Sequence, residues 1–323
     1  MKLSTFVVNS DNKKVQKIGV LKKDTTTIID LQAAYTNKKG ITSAFFIDML
    51  TFLDNFEEAK AIAEEILVCS NENCDYKISE ITLLAPVPRP RSIRDFSLYE
   101  EHMMNCGKSF ARLQGKDTDT MDPEIFKPGQ NWYKLPIFYM GNTATVGGTG
   151  TEIYFPDGEN FRDYECELGF YVGKKGKDIK KENALQYIAG FTIFNDLTAR
   201  NLQSDEMNGY PSFGPAKGKD FDTGNIMGPF LVTIDEFDHM NATMLVRVNG
   251  EERTRNNSGT MYHSVESVLE RVSKSETVYP GEFIGLGTVG GGSGVEFNRP
   301  IWPGDVIELE IEGIGILTNK IIK

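Results

Sequence analysis

Histidine and cysteine are scarce in this chain: three histidines and four cysteines in 323 residues. Cys69, Cys74, Cys106 and Cys166 form no C-x-x-C pair and no Cys/His cluster with zinc spacing, which argues against a structural zinc. Met1–Asp11 holds no apolar run of signal-peptide length, so the thiols read as reduced and a cytoplasmic protein is expected. Nothing in the chain approaches the ~20 apolar residues of a membrane span. Positive charge is also short, 35 Lys and Arg against 46 Asp and Glu, a formal net charge of −11. That balance argues against a surface for nucleic-acid phosphates. It leaves room for a small anionic substrate, because a metal ion and a few local cations invert the field inside one pocket. No repeat of fixed period, low-complexity tract or heptad run is found.

What is present is an ordinary globular mix, 40% apolar and 25% charged, able to bury a sizeable core. Residues 1–85 read as a small module. Two β-like runs, Leu3–Val8 and Lys17–Leu21, flank a polar turn at Asn9–Lys14. Ala44–Cys69 has helical spacing, with Phe45, Met49, Phe52 and Leu53 recurring at three and four residues. A polar segment, Ser70–Asp75, follows. The three prolines of Leu83–Pro90 exclude helix and predict an extended junction. Beyond it the chain reads mainly as strands and turns, with Asn249-Gly250 a strong hairpin signal and Pro280-Gly281 and Pro303-Gly304 further turn pairs.

The strongest chemical signal is Asp163-Tyr-Glu-Cys-Glu-Leu-Gly-Phe-Tyr-Val172. As a strand it turns Cys166, Leu168, Phe170 and Val172 to a core and places Glu165 and Glu167 on the other face, roughly 7 Å apart. That face is either solvated or a carboxylate pair around a proton or cation. The apolar run Tyr187–Asn195 ends at Asp196, where a helix is expected to open. Asp196 is then either a plain N-cap or a third carboxylate of the same site. Three carboxylates at strand ends suit a hard cation such as Mg²⁺, Mn²⁺ or Ca²⁺.

Ser97 and Glu100 have capping-box spacing, and Asp95 and His102 would lie about two turns apart along one helical face. Gly285-x-Gly-x-x-Gly290 matches a dinucleotide fingerprint in letters only, since more glycines and then prolines follow instead of a helix. It reads better as a glycine-rich loop offering N–H groups and the Thr288 hydroxyl to an oxyanion. Lys219 is a candidate cation or an exposed loop lysine.

In their order, these segments resemble the fumarylacetoacetate hydrolase superfamily. The resemblance rests on Asp95-Phe…His102, Tyr164-Glu-x-Glu-Leu, Asn195-Asp-x-x-Ala-Arg-x-x-Gln203, Gly218-Lys-x-Phe-Asp-Thr, Val248-Asn-Gly, Gly287-Thr and the closing Pro303-Gly-Asp-Val segment. It covers about residues 86–323. It implies an α+β fold, with a catalytic domain of mixed β-sandwich-roll type at 86–323 behind a small N-terminal α/β domain at 1–85, usually a homodimer. It also implies that Glu165, Glu167 and Asp196 hold a divalent ion, with Asp95 as a further ligand. His102 resembles the general base and Glu296 the glutamate that orients it. Lys219, Gln203, Tyr139 and Thr288 match positions that contact substrate or its developing charge. Arg200 is a further expected cation for the substrate carboxylate, and Arg112 aligns with the substrate-binding arginine across a one-residue insertion. Two positions depart from the pattern. Ser97 stands where the hydrolases of fumarylacetoacetate carry tyrosine, and Asn105 stands where smaller members place a glutamate. The expected activity is hydrolysis of a carbon–carbon bond in a β-dicarbonyl acid. Dehydration, isomerisation or decarboxylation of a 2-oxo acid at the same site is the alternative.

Overall fold

The chain begins as a hairpin that is built into the main sheet. In the computed structural model, which describes residues 1–10, 13–68, 72–113, 115–208 and 214–323, β1 (Lys2–Ser10) and β2 (Lys13–Leu21) pair antiparallel with Leu3 opposite Val20. Both expected strands are longer than their apolar runs, because the ladder continues through Asn9 and Lys14. Of the expected polar turn, Asn9, Ser10, Lys13 and Lys14 belong to the two strands, and residues 11–12 lie outside the described residues. β3 (Thr27–Asp30) leads into α1 (Leu31–Lys39), whose start is fixed by Asp30 accepting from Ala33 N at 3.0 Å. The helical spacing after Ala44 becomes two helices, α2 (Met49–Asp54) and α3 (Phe56–Val68), separated at Asn55. Cys69 lies outside the described residues. β4 (Asp75–Lys77) then pairs with β3.

After the extended proline-rich segment come β5 (Ile93–Phe96), α4 (Glu100–Leu113), α5 (Gln130–Lys134) and β6 (Phe138–Gly141). Two long strands, β7 (Glu165–Val172) and β8 (Ile188–Asp196), precede α6 (Arg200–Asn208), the short α7 (Ala216–Lys219) and β9 (Asn225–Thr233). The remainder is β10 (Thr243–Val248), β11 (Glu251–Asn257), α8 (Val265–Ser273), β12 (Phe283–Ser293), β13 (Val306–Ile311) and β14 (Gly315–Ile321). The β10–β11 turn is Asn249-Gly250 as expected, with φ of 54° and 78°.

Among the described residues, one twelve-stranded sheet runs β4-β3-β2-β1-β9-β8-β7-β12-β5-β6, with two short strands beside the path. A five-stranded sheet, β11-β10-β13-β14 and Glu152–Ile153, packs over it. Period two decides which core each side chain joins. Cys166, Leu168, Phe170 and Val172 of β7 face Met244, Val246, Leu309 and Ile311 of the smaller sheet. Tyr171 of the same strand faces the other way, into a second core with Phe52, Phe56 and Phe283. The large sheet is thus covered on both faces, by the small sheet and by α1–α3, which matches the α+β architecture expected.

Residue 85 does not interrupt the sheet. β1 pairs with β9, and the Met1 amine reaches Thr233 Oγ1 at 2.6 Å and Glu236 at 2.9 Å. Cys74, Cys106 and Cys166 are free thiols. Among the described residues no helix is long and apolar enough to cross a membrane.

Candidate active site

The ends of β5, β7 and β8 converge, and each delivers a carboxylate. Asp95 on β5 lies in register with Gly285 on one side and Tyr139 on the other. Glu167 on β7 lies opposite Thr288, and Asp196 closes β8. Ligand oxygens of Asp95, Glu167 and Asp196 lie within 4.8 Å of one another, and all three residues are buried. A β-carbon at Gly285 would collide with Asp95 Oδ1, so glycine is what lets β12 pass behind the cluster.

Burial, and then the neighbouring Asp196 charge, raises the Asp95 pKa well above its ordinary value. Burial and the Asp95 charge do the same to Glu167. Burial lifts Asp196 to about 6 against the pull of Lys219. Three buried carboxylates at this spacing need a proton or a cation among them. Asp95 Oδ1 and Asp196 Oδ1 are buried without a hydrogen-bond partner, so two acceptor oxygens stand free inside the trio. The donor set is oxygen only, and it fits a hard divalent cation.

Glu165 has different company. Arg200 Nη2 donates to its Oε1 at 2.6 Å, and Lys219 bridges its Oε2 to Asp196 Oδ2. Burial opposes the Glu165 charge, but Lys219, Arg200 and His102 outweigh it and hold the carboxyl below its usual range. The Lys219 ammonium is buried, and Asp196 and Glu165 raise its pKa against that burial. Lys219 is therefore no loop lysine. The four expected carboxylates are brought together, but it is Asp95, Glu167 and Asp196 that converge, while Glu165 is neutralised beside them.

His102, on α4, approaches the site at Glu165. Its Nδ1 lies 2.8 Å from Glu296 Oε1, and its Nε2 lies 3.8 Å from Glu165 Oε1. A carboxylate only accepts, so the Nδ1 proton is shared with Glu296 and Nε2 is the ring nitrogen turned inward. Burial disfavours the imidazolium, and the facing Cys106 and Glu296 more than offset it, placing the His102 pKa well above the ordinary value. Cys106 Sγ sits 3.6 Å from Nε2.

Several local expectations fail for reasons of geometry. Asp95 and His102 do not share a helical face, because Asp95 is in a strand and α4 starts only at Glu100. The capping box does not form, since Ser97 Oγ turns to Met103 Sδ at 2.9 Å and Glu100 accepts from Tyr133. Asp196 caps no helix, because Thr198–Ala199 form a short strand before α6. The cap of α6 is Glu159, which accepts from Asn201 N at 3.1 and 3.2 Å. The glycine-rich segment is strand β12 and no loop, and its Gly287 N and Thr288 Oγ1 both donate to Glu167 at 3.1 Å.

Of the other expected residues, Tyr139 donates to Asp196 Oδ2 at 2.8 Å, and Gln203 Oε1 accepts from Arg200 at 2.8 Å. Arg112 is not brought in, because its half-exposed guanidinium is held by Thr118 and Asp119, each at 2.7 Å. Asp163 was missed by the sequence reading. It is fully buried, accepts from Arg200 Nε at 2.8 Å and Gly294 N at 2.7 Å, and so ties the arginine to the turn that carries Glu296. The signal was there, since Asp163, Glu165 and Glu167 alternate along one face. Asn105 was noted only as a departure, yet its amide donates to Glu296 Oε2 at 2.9 Å.

Residues 93–322 match the profile of the fumarylacetoacetate (FAA) hydrolase C-terminal family. The chain belongs to this family. An uncharacterized protein of Staphylococcus aureus (strain USA300) is 32% identical over 279 residues, 85% of this chain and 82% of that protein. Among solved structures, a fumarylacetoacetate hydrolase from psychrophilic Exiguobacterium antarcticum aligns with a TM-score of 0.72 at 25% identity, over 99% of both chains. A maleylpyruvate hydrolase from Sphingobium sp. SYK-6, solved with manganese(II) and pyruvate, gives 0.71 at 20% identity over 100% of this chain and 99% of its own. A 2-hydroxyhepta-2,4-diene-1,7-dioate isomerase from Mycobacterium marinum gives 0.67 at 21%, over 100% and 98%. The last two likenesses show the fold. Fumarylacetoacetate hydrolase folds thus accommodate both hydrolases and isomerases.

Proposed function

We propose that this member of the family hydrolyses a carbon–carbon bond in a β-dicarbonyl acid of acylpyruvate type, with a divalent cation as cofactor. One observation carries the reading: beside a buried carboxylate trio with two free oxygens stands Glu165, and it is faced by the inner nitrogen of a histidine whose outer nitrogen is held by Glu296. Asp95, Glu167 and Asp196 would hold Mg²⁺, Mn²⁺ or Ca²⁺, with Glu165 beside them. Manganese and pyruvate in the Sphingobium hydrolase support this choice. When bound, such an ion supplies Lewis-acid stabilisation to charge developing on the substrate oxygens.

The protein's own groups do the rest. In its neutral form His102 Nε2 takes a proton from the water that adds to the distal carbonyl. The carbon–carbon bond then breaks with its electron pair leaving as the enolate of the oxo-acid fragment, and the imidazolium returns the proton to that carbon, while Glu296 fixes the tautomer and offsets the imidazolium charge. Thr288 and Gly287 aim Glu167, and Tyr139 aims Asp196. Lys219 and the free amide of Gln203 donate to substrate oxygens, each such donor commonly contributing about 3 kcal/mol. Arg200 and Lys219 supply the cations for a substrate carboxylate. Arg112 would join them only by exchanging Asp119 for substrate. Ser97, turned toward Met103, offers no aromatic wall, so shorter acylpyruvates are favoured over fumarylacetoacetate itself. The family resemblance adds a homodimeric assembly to this reading.

A second reading, isomerisation, dehydration or decarboxylation of a 2-oxo acid, is favoured by the isomerase of M. marinum on the same fold. A panel of acylpyruvates, oxaloacetate and 2-oxo-3-deoxy sugar acids, with products identified by mass, separates them. Hydrolysis adds one water and yields two acids. A product of unchanged mass, or one short by water or carbon dioxide, replaces the first reading with the second.

A further inference from the structure

We propose that the cavity between the end of α5 and the end of α8 is a binding site for a small, multiply charged anion, separate from the carboxylate cluster. The cavity measures about 620 Å³. Lys134, Lys180, Arg271 and Lys274 line it against two acids, Asp178 and Glu270, leaving a local excess of two positive charges in a chain whose net charge is −11.

What sets the four cations apart is their convergence on one cavity, each without a carboxylate partner among the described residues. Lys17, Lys60, Arg91, Arg247 and Arg255 each have a carboxylate partner. Among the described residues, none of the four has an ion pair or a side-chain hydrogen bond. The two acids that could have paired with them are taken by backbone, Asp178 accepting from Ser275 N at 2.8 Å and Glu270 from Lys181 N at 3.3 Å. Helix-end complementarity explains Arg271 and Lys274, at the negative end of α8. It also covers Lys134, in the last turn of α5, but not Lys180, which follows a separate short strand. Like charges converging on one concave surface repel, and a bound polyanion removes that cost while gaining the focused field of the cavity.

The rest of the wall limits the ligand. Leu135, Pro136 and Ile179 give the cavity an apolar side, so a compact carbon or phosphorus body carrying two or more negative charges fits better than a single inorganic halide. His263 is pinned there by Nε2 against Trp132 O at 2.6 Å. The shared chemistry is that of a polycarboxylate or a phosphate ester. No lining residue belongs to the cluster of Asp95, Glu167 and Asp196, so substitutions can separate the two sites.

The test is calorimetric titration of the full chain with citrate and, separately, pyrophosphate, in buffer freed of divalent cations. Saturable binding of at least one probe, one per chain, is expected. It should weaken at least tenfold in Lys134→Gln/Arg271→Gln and again in Lys180→Gln, while Glu167→Gln leaves it unchanged. Tighter citrate assigns a polycarboxylate, and tighter pyrophosphate a phosphate ester. Thermal unfolding of each variant confirms that these exposed substitutions leave the fold intact. No saturable heat with either probe overturns the proposal. So does binding that survives in folded double variants or disappears in Glu167→Gln.

Discussion

His102 Nδ1 and Glu296 Oε1 lie 2.8 Å apart in space and 194 positions apart in sequence. Glu296 is held for this contact by Gly291 N at 2.6 Å, Ser293 N at 3.2 Å, Ser293 Oγ at 3.0 Å and Asn105 at 2.9 Å. A carboxylate with that many donors stays in place, which fixes both the tautomer and the orientation of the imidazole. If the pair acts as a unit, its two members cannot be removed independently.

His102→Ala should lower kcat by about 10²–10⁴-fold, the usual loss of a general base. Glu296→Gln should lower kcat less and leave KM close to wild type. The double variant should be no worse than His102→Ala alone, because a unit already broken has nothing more to lose. Losses that multiply in the double variant would show that Glu296 acts elsewhere.

Lys219 is the cation between Glu165 and Asp196, all three buried. Lys219→Met leaves both carboxylates short of their shared partner and should cost about 3–5 kcal/mol of stability. Adding Glu165→Gln should recover part of that loss, since one of the stranded charges is then gone. Urea unfolding midpoints read both effects. An unchanged midpoint in Lys219→Met would mean that solvent reaches this pair.

His239 gives the fold a pH dependence away from the site. Its ring stacks on Phe191 with centroids 5.1 Å apart, and Nε2 is buried without a partner. Burial lowers its pKa below the ordinary 6.5, although Glu266 and Asp238 pull the other way. A depressed pKa means that the unfolded chain binds the proton more readily. The contribution to stability is therefore complete above 6.5 and is lost as pH falls through the folded value. His239→Phe should flatten the wild-type loss of stability on the acid side of pH 6.5. An identical slope in both proteins would remove His239 from the account.

Much of this architecture was legible because it is written locally. Alternation along Asp163–Val172 separated core from carboxylates, and Asn249-Gly250 marked its hairpin. What failed depended on distant partners. The seven-residue spacing of Asp95 and His102 signals a shared face only if one helix covers both, and a strand ends between them. Asp196 looked like a cap because Lys219, its partner, comes 23 positions later, and because Glu159, the real cap, lies 42 positions before Asn201. The glycines of β12 looked like a loop because nothing local shows that Asp95 needs the space.

The first 85 residues read as a separate module, yet β1 pairs directly with β9, and Leu3 and Phe52 share a core with Met227 and Phe283. A chain reduced to residues 86–323 would expose the edge of β9 and the apolar face under α2 and α3, a surface prone to aggregation. We expect it to be insoluble or to lack cooperative unfolding. A soluble fragment with wild-type melting behaviour would instead establish an independent catalytic domain.

The central claim, that Asp95, Glu167 and Asp196 together hold one divalent ion, is tested most directly by titrating the metal-free protein with Mn²⁺ and following free Mn²⁺ by electron paramagnetic resonance. One saturable site per chain is expected, with oxygen-only coordination at about 2.0–2.6 Å. Competition by Mg²⁺ and at least tenfold weaker binding in folded Glu167→Gln and Asp95→Asn variants should accompany it. No saturable site in the wild type, or one that both substitutions leave untouched, would contradict the account.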